Sequence, residues 1–130
     1  MILSIDLASE VPIYQQLRDQ IVEAIAEGVL TEGSSLPAAR TLAADSGINF
    51  HTVNKAYDLL RQQGLIRLNR KSGAVVTAAV TDPMVPSDWA AKVRTLLAEA
   101  VARGIPPDEV LRTCSSMLDS FGAKQREDTP

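Results

Sequence analysis

The sequence predicts a mainly α-helical chain with one small β-hairpin. Apolar residues recur at helical spacing in five separate segments, and two short β-prone runs enclose a basic, glycine-containing segment. Glycine or proline stands at most boundaries between these segments. The chain has 130 residues, 45% of them hydrophobic, which suffices for a core without disulfides; its single Cys114 has no internal partner.

The first predicted helix covers residues 12–27. An apolar residue recurs every fourth position from Ile13 to Ile25, and glutamines and carboxylates fill the other side. Pro12 suits the first turn, where a missing N–H costs no helical hydrogen bond, and Gly28 suits the end.

Two further helices follow at residues 37–45 and 50–63. Pro37 is expected in the first turn of the earlier one. Gly47 suits the tight turn between them, because glycine readily adopts positive φ, and Asn49 is a favourable N-cap for the later helix. Two helices joined in this way form a helix-turn-helix, whose second helix enters the major groove of DNA.

A basic hairpin is predicted directly after these helices. Residues 65–68 and 74–77 are β-prone and flank the segment 69–73. Helix, helix-turn-helix and hairpin in this order describe a winged helix-turn-helix, with the hairpin tip beside the phosphate backbone. We assign residues 1–78 to this domain and residues 79–86 to a connector.

Residues 87–122 are predicted to form two amphipathic helices, and the polar residues 123–130 a disordered tail. The two apolar stripes cannot both be covered by each other, so they need another surface, of which a second copy is the simplest. Cys114 is expected to be a small buried hydrophobe in this stripe. The predicted homodimer interface comprises Trp89, Val93, Leu97, Cys114, Met117, Leu118 and Phe121.

The charge is unevenly distributed along the chain. The formal net charge is −3, which argues against a protein that simply coats polyanions. Residues 40–71, however, hold six cations and two carboxylates, whereas residues 1–39 hold one cation and six carboxylates. Because phosphate attraction is local at physiological salt, the basic middle segment is a candidate nucleic-acid footprint.

Four short motifs carry a resemblance to a known family. They read Pro-Ile-Tyr-Gln-Gln-Leu at 12–17, Leu-Pro-Ala-Ala-Arg-Thr-Leu-Ala at 36–43, Thr-Val-Asn-Lys-Ala-Tyr at 52–57 and Gly-Leu-Ile at 64–66. In order and spacing they resemble the GntR family of bacterial transcriptional regulators. The form of residues 49–57 and the short segment after the wing are similar to the YtrA branch of that family. The resemblance implies a repressor that blocks a promoter by binding a near-palindromic operator as a homodimer.

The resemblance also implies which residues contact DNA. Arg40 matches an arginine assigned to the backbone and groove edge, and its guanidinium can fork onto a phosphate or onto guanine. The implied phosphate contacts are Thr52 and Lys55; the implied base-edge readers are Asn49, His51 and Asn54; and the implied wing contacts are Arg70, Lys71, Ser72 and Gly73.

Three positions depart from the family pattern. Ser35 stands where a cation is common, which removes a phosphate contact. Ala38 stands where a serine often caps the second helix, and Ser34 or Ser35 is an alternative cap. Phe50 stands where arginine or proline is usual; it either packs a thymine methyl group or covers the turn, and we favour packing over the turn.

Other functions have weaker support. A winged helix can instead be a protein-interaction module, in which case Arg40, Thr52, Lys55 and the wing tip are replaceable. An enzyme is disfavoured because the single His51 and single Cys114 are far apart and no phosphate-binding glycine loop is present. We expect no metal or other cofactor, and the existence of a small-molecule effector stays open. No apolar run is long enough to span a membrane and no signal peptide is evident, so we expect a cytoplasmic protein.

Overall fold

The computed structural model describes residues 3–69, 73–77 and 86–127. Two compact units, Met1–Thr81 and Asp82–Pro130, are here called the N-terminal and C-terminal units. The predicted mainly helical fold with one hairpin is confirmed. In chain order the described elements are α1 (Ile13–Ala26), α2 (Ala39–Ser46), α3 (Phe50–Gln62), β1 (Ile66–Asn69), β2 (Gly73–Val76), α4 (Pro86–Ala102) and α5 (Pro107–Glu127).

The N-terminal unit is built around α3, which packs against α1, α2 and β1. The periodic apolar positions of the sequence supply its core, and Leu17, Ile21, Val53 and Leu60 are completely buried. The other members of this cluster come from α3 itself, α2, the two strands and the segment before α2: Leu36, Leu42, Ala43, Ala56, Tyr57, Ile66 and Ala74.

An extended N-terminal segment is held against α1 by two glutamine amides. Gln20 donates to the carbonyl of Ser4 (2.7 Å) and accepts from its N–H (2.8 Å). Gln16 makes the same pair of bonds with Asp6, at 2.9 and 2.8 Å. Four residues of a helix and two residues of an extended chain each advance about 6 Å. The spacing from Gln16 to Gln20 on α1 therefore matches the spacing from Asp6 to Ser4 on the extended segment. The sequence does not predict this pairing.

The second helix begins two residues later than predicted. Ala38 is its N-cap residue and has no side-chain bond to the helix, so Pro37 lies outside. The Pro37 carbonyl, which a helix starting there would offer to the N–H of Thr41, instead accepts from the Tyr57 hydroxyl at 2.8 Å. Neither Ser34 nor Ser35 supplies the cap: the start of α2 has no side-chain cap hydrogen bond, and the hydroxyl of Ser34 accepts from the Thr31 N–H at 3.0 Å.

The hairpin is anchored on both sides. β1 and β2 are antiparallel, with Ile66 opposite Val76, and their bounds lie within one residue of those predicted. On the far side of β2, the N–H of Leu36 donates to the Ala74 carbonyl (2.8 Å) and that of Gly33 to the Val76 carbonyl (2.9 Å). Residues 33–36 therefore act as a third, irregular strand, whereas the composition of this segment predicts only a loop.

The C-terminal unit consists of α4 and α5, joined by a turn in which Gly104 has φ of +96°. Proline begins α5, and the Pro106 carbonyl accepts the N–H groups of Glu109 and Val110. The helix continues to Glu127, so the prediction that residues 123–127 are disordered is wrong. A single Gly122 costs about 1 kcal/mol in a helix, and the lysine, glutamine, arginine and glutamate that follow favour helix. Within the described residues, no helix is long and apolar enough to cross a membrane.

Candidate nucleic-acid interface

The turn between α2 and α3 has the geometry that the sequence predicts. Gly47 is left-handed at φ +67°, and the N–H of Ile48 donates to the Ala43 carbonyl at 3.0 Å, which closes α2. Asn49 then caps α3, its side-chain oxygen accepting from the His51 N–H at 2.8 Å. Capping occupies one lone pair of that oxygen, and the two amide N–H groups of Asn49 remain to donate towards DNA.

A hydrogen bond from a buried tyrosine fixes the orientation of α3 relative to the start of α2. The Tyr57 side chain is buried, and its hydroxyl donates to the Pro37 carbonyl at 2.8 Å. Burial raises the pKa of Tyr57 to about 12, so the hydroxyl stays a neutral donor at physiological pH. Because Arg40 follows Pro37 by three residues, this bond helps to set where Arg40 stands beside α3.

The outer face of α3 carries four of the ten predicted contacts. His51 and Lys55 are exposed, while Thr52 and Asn54 are half-buried. His51, Asn54 and Lys55 line a shallow groove of about 420 Å³ together with Tyr14 and Asp58. Three predicted DNA contacts are thus brought together; Thr52 does not line this groove.

Lys55 rests on an aromatic ring of the first helix. Its Nζ lies 4.1 Å from the centroid of the Tyr14 ring, within the range of a cation–π interaction. Tyr14 itself packs against the core. The ring therefore supports the Lys55 ammonium without neutralising its charge.

Arg40 reaches the beginning of α3 from α2. It is exposed, and its guanidinium carbon lies 4.3 Å from the centroid of the Phe50 ring. Phe50 is half-buried against the core, in agreement with packing over the turn, and its ring lies 5.5 Å from that of His51. The cation and the base-edge candidates are thus neighbours around Phe50.

The cations of this unit differ in their partners. Among the described residues, Arg40 and Lys55 form no ion pair or hydrogen bond, whereas Arg61 lies 3.8 Å from Asp58. Arg61 and Arg67 line a different open cavity, of about 620 Å³, with Glu32. Free positive charge is therefore placed at the first two turns of α3, where the helix dipole is also positive.

Only part of the predicted wing contact is described. Gly73 is exposed and left-handed at φ +71° at the start of β2. Arg70, Lys71 and Ser72 lie outside the described residues. The sequence does not predict that Tyr14 and Phe50 support cations, because each ring is distant in the chain from the cation that it contacts.

Comparisons with known proteins agree on one family. The model of the bacterial regulatory proteins of the gntR family matches residues 13–76. The uncharacterized HTH-type transcriptional regulator YdcR of Escherichia coli is 43% identical over 74 residues, which are 56% of this chain and 16% of that protein. The HTH-type transcriptional repressor YtrA of Bacillus subtilis is 36% identical over 75 residues, 58% of either chain. This chain therefore spans about a sixth of the first relative and just over half of the second.

Solved structures extend the likeness. YtrA from Sulfolobus acidocaldarius, a GntR-family transcription factor, is 40% identical with a TM-score of 0.62, covering 78% of this chain and 99% of that one. A protein described as a transcriptional antiterminator from Listeria monocytogenes is 26% identical with a TM-score of 0.82, covering 93% and 92%. The AraR DNA-binding domain in complex with operator ORE1 is 28% identical with a TM-score of 0.50, covering 58% and 95%. The chain belongs to the GntR family of bacterial regulatory proteins, in its YtrA-like group.

Proposed function

We propose that this chain is a sequence-specific DNA-binding repressor that acts in the cytoplasm as a homodimer on a near-palindromic operator. The observation that carries the proposal is the pair of unneutralised cations, Arg40 and Lys55, beside the exposed polar side chains of α3. The operator complex of the related AraR domain and the repressor YtrA among the relatives support it.

In this proposal α3 lies in the major groove. Asn54 faces the same groove as His51 and has the two-sided amide that pairs with adenine. Arg40 forks onto a phosphate or onto guanine O6 and N7, while Thr52 and Lys55 hold phosphates. Phosphate contacts fix the register of the helix, and the base-edge contacts read the sequence.

The C-terminal unit supports the dimer. Trp89, Met117 and Leu118 are exposed, and Leu97 is only partly covered. Trp89, Val93 and Leu97 also line an open groove of about 540 Å³ on α4. The other predicted interface residues, Cys114 and Phe121, are half-buried. A second copy that covers these faces would place two winged helices on half-sites about one helical turn apart, 10 to 10.5 base pairs.

The test is binding of the full chain to the DNA upstream of its own gene, measured by mobility shift across a salt series. Arg40→Ala is expected to weaken binding about 5- to 150-fold, as for one lost bidentate base contact. Lys55→Gln is expected to weaken binding to all sequences and to reduce the salt slope by about one.

The matched control is Arg103→Ala. Arg103 is an exposed arginine of the C-terminal unit, paired with Glu99 at 3.0 Å, and its loss should leave binding unchanged. Wild-type affinity in both Arg40→Ala and Lys55→Gln would contradict the proposal and favour a protein-interaction module. A footprint that covers only one half-site would contradict the proposal that the chain binds as a homodimer.

A further inference from the structure

We propose that Phe50 is a positioning residue for DNA recognition, whose ring holds the Arg40 guanidinium over its face and leaves the N–H groups free to bind DNA. This rests on the proposed function, since it assigns a role within the same interface. It concerns one pair of residues, ten apart in sequence, that the turn between α2 and α3 brings into contact.

The geometry is that of a packed aromatic ring under an exposed cation. The guanidinium carbon lies 4.3 Å from the ring centroid, inside the roughly 6 Å range of cation–π contacts. The ring is half-buried against the core and begins α3 directly after its cap, so its own position is fixed by packing. Arg40 is exposed and has neither a carboxylate partner nor a hydrogen bond among the described residues.

A ring suits a DNA-binding arginine better than a carboxylate does. A carboxylate would occupy the in-plane N–H donors and cancel the charge, and that ion pair would have to break before DNA could bind. A ring interacts with the face of the guanidinium and leaves its donors in the plane available. Arg61, which lies 3.8 Å from Asp58, illustrates the other arrangement in the same unit.

The gain in affinity comes from order in the free protein. A long arginine side chain loses rotamer entropy when it is fixed. If Phe50 already restricts Arg40, part of that cost is met before DNA arrives, as in other preorganised interfaces.

The first test needs no DNA. The side-chain protons of Arg40 should show an upfield ring-current shift in the NMR spectrum of the full chain. Phe50→Tyr should keep that shift, and Phe50→Leu should abolish it. Unshifted Arg40 protons in the wild-type protein would overturn the proposal whatever the DNA results.

The second test is a double-mutant cycle on affinity for the upstream DNA. Phe50→Leu should weaken binding about 2- to 30-fold, the range of a cation–π contact, while Phe50→Tyr stays near wild type. In the Arg40→Ala background Phe50→Leu should cause no further loss. Equal losses in both backgrounds would overturn the proposal and point to a direct contact of Phe50 with DNA.

The two proposals fail separately. A wild-type chain that does not bind the DNA at low salt rejects the proposed function, whereas a chain that binds through Arg40 with an additive Phe50 effect rejects only this inference. Thermal unfolding of each variant guards against misfolding. Should Phe50→Leu fail to fold, the Phe50→Tyr affinity and the wild-type ring-current shift still decide the question.

Discussion

The two units use the same amphipathic pattern with opposite outcomes. In the N-terminal unit the periodic apolar side chains are buried within one copy, and Leu60 is 0% exposed. In the C-terminal unit none of the described side chains is buried; Trp89 is 51% and Leu118 67% exposed. An amphipathic period thus predicts that a helix has an apolar face, but not what covers it.

The reason lies in the number of elements around each face. In the N-terminal unit α1, α2 and β1 surround α3. In the C-terminal unit α4 and α5 make few contacts with each other, and two helices in one layer leave their outer faces open. A second copy would supply the missing layer, so the two units should respond differently to matched changes.

The largest difference is expected from one substitution made in each unit. Leu60→Ala leaves a cavity in a fully packed core and should lower the free energy of unfolding of the N-terminal unit by about 2 to 5 kcal/mol. Leu118→Ala should change unfolding by less than about 0.5 kcal/mol in dilute, monomeric protein. Urea denaturation at two protein concentrations measures both. Equal costs at the lower concentration would mean that the C-terminal unit buries Leu118 within a single copy.

The next largest effect concerns association. Leu118→Glu places a charge in the proposed dimer face, and burying it unpaired would be costly, so the chain should sediment as a monomer at micromolar concentration. The N-terminal unit should keep its fold, as judged by circular dichroism. Ser116→Glu adds the same charge on the opposite side of α5 and should remain dimeric. Dimers in both variants would place the interface elsewhere.

Local signals in the sequence predicted local structure well. The Asn49 cap, the left-handed Gly47 and the buried face of α3 each depend on neighbours within about one helical turn, and all three are present. The features missed depend on distant parts of the chain. Residue spacing alone does not reveal that Gln16 binds Asp6, that residues 33–36 pair with β2, or that Arg40 lies on Phe50.

The start of α2 shows why. Proline statistics favour Pro37 at the first helical position, but the Tyr57 hydroxyl, twenty residues later, takes its carbonyl. Within the site, the residues of α3 follow from helical periodicity. The support of the two cations by rings does not, because each ring lies on a different helix from its cation: Tyr14 of α1 lies under Lys55 of α3, and Phe50 of α3 lies under Arg40 of α2.

A moderate, pH-dependent effect is expected at Tyr57, whose bond is complete within one copy. The raised pKa, about 12, means that its stabilisation is full below pH 10, where the tyrosine is neutral in both states, and is lost as pH rises from 10 to 12. Tyr57→Phe should cost about 1 kcal/mol at pH 7, since it removes the hydrogen bond to the Pro37 carbonyl.

Above pH 10 the wild-type chain should lose about 2 kcal/mol that Tyr57→Phe does not lose, so their stability curves should cross. Urea unfolding at pH 7, 10 and 11.5 measures this. Tyr14→Phe is the matched control, because the Tyr14 hydroxyl makes no hydrogen bond among the described residues. Parallel curves for wild type and Tyr57→Phe would show that Tyr57 is not the titrating group.

The smallest expected effect is a gain in the N-terminal unit alone. Ala38 occupies the N-cap of α2 with φ −56° and ψ 143°, the extended conformation from which a serine hydroxyl accepts an N–H of the first turn. Ala38→Ser should therefore raise the free energy of unfolding of this unit by about 1 kcal/mol. Ala44→Ser, an exposed position inside the same helix, should lower it by about 0.5 kcal/mol, because serine is a poorer helix former than alanine. Neither change should alter the dependence of stability on protein concentration that the proposed dimer predicts. Thermal unfolding measures both variants. A gain in stability for Ala38→Ser with a loss for Ala44→Ser would establish the cap. A loss of stability in both variants would mean that the side chain at position 38 does not reach the helix end.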